Sequence, residues 1–157
     1  MDFIPKSDVV SSLPLQMALF FNAHFSPFWV IIHILSLAIK YKALNITYQV
    51  ILVAIHIVAV LVEVTRLYLG FVGNLMERIP ELSGFWITTL ILQFPVTLFL
   101  LANPEIYSLP IERAVDIVQI SFICFEIISG LAAVRRVANH QVTKFQQQVL
   151  DKDEKID

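Results

Sequence analysis

The sequence predicts an all-α membrane protein, a four-span transmembrane helix bundle with both termini in the cytoplasm. Three observations carry this. First, 57% of the 157 residues are hydrophobic and only 15% are charged, with a mean hydropathy of +0.75. A water-soluble domain carries about 45–50% apolar and about 25% charged residues. Second, stretches 9–39, 43–62 and 82–104 contain no Asp, Glu, Lys or Arg, and 114–134 contains only Asp116 and Glu126. Each run reaches the length of about 20 residues that crosses a hydrocarbon core of about 30 Å. Third, the basic residues are unevenly divided between the two sides. Lys6, Arg66, Arg78, Arg135, Arg136, Lys144, Lys152 and Lys155 fall on one side, and Lys40, Lys42 and Arg113 on the other. The richer side is the cytoplasmic one.

The elements follow in chain order. Residues 1–10 are short and mixed, and a mobile segment is expected there. Ser11 or Ser12 can cap the first helix, with Pro14 in its first turn. The first span covers 17–39, and Pro27 within it predicts a kink. A tight external turn, "KYKALN", leads to the second span, 46–67. Asn45 opens an "NIT" glycosylation sequon on the outer side, expected to stay unmodified because the helix starts almost at once. The third span, 82–103, contains Pro95 as another kink site. Ser108 is placed to cap the fourth, 112–134, with Pro110 in its first turn. Beyond it Ala138, Val142, Phe145 and Val149 recur at helical spacing, so the helix is expected to continue as an amphipathic arm. Residues 1–150 thus read as one four-helix domain and 151–157 as a polar, disordered end.

Several function classes are disfavoured. A net charge of −2 offers no basic field for nucleic acid. The single cysteine, Cys124, excludes an intrachain disulfide and a cysteine-based metal site. No HExxH, GxSxG or paired-carboxylate motif occurs, so no catalytic residues, cofactor or metal are expected. The first apolar stretch is longer than the core of a signal peptide, which argues against cleavage.

Polar residues inside the spans call for partners, because an unsatisfied group in lipid is costly. His56, Gln93 and Glu126 lie near the midpoints of three spans and are expected to meet as interhelical contacts rather than to form a proton path. His33 reads as a packing histidine, and Asn22 and His24 as residues near the inner interface or a kink. Asp116, near the start of its span, can reach the headgroups. Ser129, Gly130, Ala132 and Ala133 form a small-residue face for close helix packing.

The stretch "EVTRLYLGFVGNL", 63–75, ends the second span. Arg66 suits a helix C-terminus and can snorkel to headgroups, with Glu63 one turn deeper at pairing distance. Gly70, Gly73 and Asn74 tolerate positive φ and so can end the helix. A phosphate cradle would need a preceding strand and a lysine, and neither is present.

Together with "SSLPLQM" (11–17), "IPELSGFW" (79–86), "LPIERAV" (109–115) and "AAVRRVANH" (132–140), this stretch resembles the transmembrane protein 17 family from about residue 11 to about residue 150. The glutamate, arginine and "LG…GNL" spacing is also shared with the sister transmembrane protein 216 group. The resemblance implies a four-pass protein of the ciliary transition zone. Its partners would be membrane lipids, tectonics, B9-domain proteins and other multipass members of the Meckel syndrome (tectonic-like) module. That module supports the diffusion barrier at the ciliary base, ciliogenesis and Hedgehog (smoothened) signalling. On this reading Glu63, Arg66, Gly70, Gly73 and Asn74 form a docking motif on a non-enzymatic scaffold. The other class is a small channel or transporter built on His56, Gln93 and Glu126, and flux through liposomes by the protein alone would separate the two.

Overall fold

A chain crossing lipid must satisfy its own backbone N–H and C=O groups, and this one does so as helices. The computed structural model describes residues 10–154. Helix α1 covers Leu13–Lys40, α2 Ile46–Leu75, α3 Ile79–Thr88, α4 Phe94–Ala102 and α5 Pro110–Glu154. A π turn, Thr89–Gln93, joins α3 to α4, so the chain presents four helical units long and apolar enough to cross a membrane. The four expected spans are all found. The expectation for the first ten residues falls, apart from Val10, outside the described residues.

Local chemistry sets the ends and breaks. Ser12 occupies the N-cap of α1, but its hydroxyl makes no capping bond, and its backbone N–H donates instead to Asn74 Oδ1 at 2.9 Å. Pro27 lies inside α1 without ending it. A 3₁₀ turn, Tyr41–Ala43, follows, held by Gln49 Nε2, which donates to the carbonyls of Tyr41 and Leu44. Pro95 has no N–H to give and its ring crowds the carbonyl one turn back. The ladder therefore widens there, and the Phe94 N–H reaches the Thr89 carbonyl. At the start of α5 the Glu112 carboxylate accepts from the Leu109 N–H at 2.8 Å. Glu112, not Ser108, supplies the side-chain cap, because an acid three residues in can reach back.

Two sequence expectations are corrected by the backbone. Gly70 and Gly73 do not stop α2. The helix runs through both to Leu75, no described glycine has positive φ, and the turn is made by Glu77 at φ 53°. The glycines serve close approach instead. A Cβ on Gly73 would lie 2.5 Å from the Leu82 nitrogen, and one on Gly70 would lie 2.9 Å from the Leu19 side chain. The second correction concerns the C-terminal end. Helix α5 continues through Glu154, into the segment expected to be disordered, since each added residue gains a bond and Gln, Leu, Lys and Glu are good helix formers. Residues 155–157 lie outside the described residues.

The bundle is apolar outside and polar inside. Phe28, Ile34, Ile39, Val50 and Ile128 are exposed on the lipid-facing side. Asn22, Arg66, Gln93, Gln119 and Glu126 are completely buried. One apolar layer, built on Leu15, Leu19, Leu82, Phe85 and Val137, closes the end where α1 begins. A second, built on Trp29, Leu52, Ala59, Leu100 and Ile106, packs toward the opposite end, here called the far end. The amphipathic arm is present as the last turns of α5, with Val142, Phe145 and Val149 exposed.

Candidate functional site

The buried polar residues of α1 recur at 22, 26, 33, 36 and 40, and those of α5 at 112, 116, 119 and 126. These are steps of three, four or seven, which place each set on one helix face. Side by side, and joined by α2, the two faces build a polar core.

Its centre is Arg66, which is 0% exposed. The guanidinium donates from Nε and Nη2 to Glu63 at 2.9 and 2.8 Å, and from Nη1 to Glu126. Ser26 donates to Glu63 Oε1 at 2.6 Å, Gln119 Nε2 donates to Glu63 Oε2 at 3.2 Å, and Asn22 Nδ2 donates to Glu126 Oε1 at 2.8 Å. Every oxygen of the two carboxylates therefore accepts at least one bond. The planar fork of arginine suits this task, since it meets two carboxylates on different helices at once.

Toward the far end a second group forms. Asp116 Oδ1 accepts from Trp29 Nε1 at 2.8 Å and meets His33 Nε2 at 2.9 Å. His33 Nδ1 meets His56 Nε2 at 3.1 Å, and His56 Nδ1 donates to the Leu52 carbonyl at 2.6 Å. Lys40 Nζ reaches both Glu112 oxygens at 2.7 and 2.8 Å. At the opposite end Asn74 holds the entry of α1. Its amide donates to the Ser12 carbonyl and to Gln16 Oε1 at 2.9 and 2.8 Å. Beside it, the Val10 N–H donates to Glu77 Oε1, and Gln141 Nε2 donates to the Glu77 carbonyl, tying the α2–α3 turn to the residue ahead of α1 and to the later part of α5.

Several expectations change accordingly. The Glu63–Arg66 pair exists, but Arg66 faces the bundle interior rather than the headgroups, because two carboxylates wait for it there. Asp116 is buried on Trp29 and His33 rather than near lipid headgroups. Lys40, expected in an external turn, is buried against Glu112. His56, Gln93 and Glu126 do not meet. His56 belongs to the far-end group and Glu126 to the arginine group, and neither amide atom of Gln93 finds a partner among the described residues. Of the docking motif, Glu63, Arg66, Gly70, Gly73 and Asn74 are all buried. Of the small-residue face, Gly130 and Ala133 turn inward while Ala132 is exposed. A Cβ on Gly130 would lie 3.2 Å from Phe85, and Trp86 Nε1 donates to the Ile127 carbonyl at 3.0 Å, so α5 and α3 touch closely there. His24 bonds the Phe20 carbonyl on the exposed side, and Asn45 is exposed at the N-cap of α2.

Sequence reasoning did not single out Ser26, Trp29, Lys40, Glu112 or Gln119 as core residues. The signal that finds them is the three-and-four spacing of polar residues along α1, matched by the same spacing on α5. Chemically, the arrangement fixes the rotation of α1, α2 and α5 about their axes. Both oxygens of Glu63, Glu112 and Glu126 are bonded, and among the described residues no group of three or more His, Cys, Asp or Glu could hold a metal ion.

Comparison with known proteins adds a lineage. A family model for transmembrane protein 17, described as "Predicted membrane protein", matches residues 17–123. Transmembrane protein 17 of Gallus gallus is 44% identical over 146 residues, 93% of this chain and 70% of that protein. Transmembrane protein 17B of Danio rerio is 49% identical over 140 residues, covering 89% and 73% respectively. The Homo sapiens protein is 40% identical over 148 residues, covering 94% and 75%. No solved structure matches the chain.

Proposed function

The chain belongs to the transmembrane protein 17 family, and from that premise we propose that it is a non-enzymatic multipass component of the tectonic-like (Meckel syndrome) complex at the ciliary transition zone. In that place it supports the diffusion barrier, ciliogenesis and Hedgehog signalling beside tectonics, B9-domain proteins and other multipass members. The observation that supports a scaffold is the self-pairing of the core. Arg66, Glu63, Glu126, Lys40 and Glu112 bond to one another rather than lining an open path. A transporter needs groups free to exchange partners with solute, so the channel reading has less support.

The buried docking motif moves the contact surface elsewhere. Surfaces left for partners are the lipid-facing flanks and the projecting end of α5, where Val142, Phe145 and Val149 are exposed. The test is expression of a tagged full-length copy in a ciliated cell. Concentration at the ciliary base, with tectonic and B9-domain proteins co-purifying, is the expected result. Even distribution over the plasma membrane without those partners overturns the assignment. Purified protein in liposomes should move no solute.

A further inference from the structure

The far-end group contains a chain of hydrogen bonds with a fixed number of protons. One terminus is the Leu52 carbonyl, which accepts only, so His56 Nδ1 carries a hydrogen. The next contact, His56 Nε2 to His33 Nδ1 at 3.1 Å, needs a hydrogen on one of the two nitrogens. The last, His33 Nε2 to Asp116 Oδ1 at 2.9 Å, needs one on either the nitrogen or the oxygen. Three contacts thus require three protons. Two neutral imidazoles and an ionised carboxylate supply only two.

We propose that His33, His56 and Asp116 form a proton-binding site that holds one exchangeable proton between α1, α2 and α5. The proton has two balanced positions. It makes the imidazole pair an imidazolium facing a carboxylate, or it makes Asp116 a carboxylic acid that donates to His33 Nε2 while both rings are neutral. Both forms of the trio carry zero net charge and satisfy every contact. Removing the proton leaves a net charge of −1 and two lone pairs facing each other in a water-poor site, which is costly.

The surroundings are closed and carry no net charge. His33, His56 and Asp116 are 2%, 8% and 1% exposed. The charged groups facing them are Lys40 on α1 and Glu112 on α5, which neutralise each other, with Glu112 Oε1 at 3.8 Å from His33 Nδ1. From α4 and the segment before α5 come Leu100 and Ile106, both apolar, and the uncharged hydroxyl of Ser108. Toward the other end lie the saturated arginine group and then the apolar layer of Leu15, Leu19 and Phe85. The site therefore stores a proton rather than passing one through the bundle. It does not depend on the ciliary reading.

The experiment is ring-nitrogen NMR on the full chain in lipid nanodiscs at neutral pH, with labelled histidine and carboxyl-labelled aspartate. His24→Gln and His140→Gln in the same chain leave only the two buried rings visible. The expected count is three, either three protonated ring nitrogens with an ionised Asp116, or two with a protonated Asp116 carboxyl. In Asp116→Leu, where two protons satisfy the remaining contacts, the count should fall to two. Two protonated nitrogens with an ionised Asp116 in the unsubstituted chain overturn the proposal. That reading needs no variant at the site to fold.

Discussion

Arg66 is one cation serving two carboxylates, and that arithmetic ranks the substitutions around it. Glu126→Gln leaves Arg66 and Glu63 as a neutral pair and keeps an amide oxygen for the guanidinium, so the loss should be about 1 kcal/mol. Arg66→Leu strands two buried carboxylates and should cost about 3–5 kcal/mol or more. Arg66→Lys keeps the charge but cannot span both partners with a planar fork, and should fall between. Glu126→Lys sets a second cation against Arg66, and little protein should accumulate. Denaturant titration in mixed micelles reads the order. Should Arg66→Leu prove no worse than Glu126→Gln, Arg66 is not the shared partner of both acids. Because all of these residues are buried, the expected defect is loss of folded protein, not normal abundance with failed docking.

Among the helical elements, the contact between α2 and α3 depends on Gly73. Its missing Cβ leaves room for the Leu82 backbone at 2.5 Å, whereas Gly70 meets the movable end of Leu19 at 2.9 Å and Gly84 meets Leu69 at 3.5 Å. Alanine should therefore destabilise more at Gly73 than at Gly70 and be neutral or stabilising at Gly84, with Gly73→Ala costing at least the 1–3 kcal/mol typical of overpacking. Thermal melts of the three variants provide the comparison, and equal midpoints would contradict the close approach. The π turn before Pro95 yields an opposite case. Gln93 is fully buried there and its amide has no partner among the described residues, so Gln93→Met should raise the melting midpoint by relieving a penalty of about 1–3 kcal/mol. A fall would show that the amide is bonded. These elements also mark what the sequence made legible. The spans were readable because a charge-free run of membrane length has few other uses. The rotation of each helix was harder, since a single Glu126 or Gln93 in a span does not say which neighbour it faces. The glycines misled because positive φ and close approach call for the same residue.

For the whole molecule, polarity is reversed relative to a water-soluble domain: lipid covers the apolar outside while charges pair within. From the charge distribution we propose that both chain ends lie in the cytoplasm, and protease added to sealed cells should then spare epitope tags at either end. Asn45, exposed but at the N-cap of α2, directly before the helix, should remain unglycosylated. A glycosidase-sensitive shift that disappears in Asn45→Gln would show the loop standing farther from the bilayer. The pair within α2 also bears on biosynthesis. Glu63 and Arg66 sit on the same helix, so they can neutralise each other as soon as α2 leaves the ribosome, before α5 has been translated. Helix α2 can then enter the bilayer from the translocon with this pair carrying no net charge, and Glu126, arriving last, finds its cation already in place. Nascent chains truncated before Pro110 should integrate efficiently, while Glu63→Ala, which exposes an unneutralised arginine at that stage, should stall integration of the truncated chain more than that of the complete one.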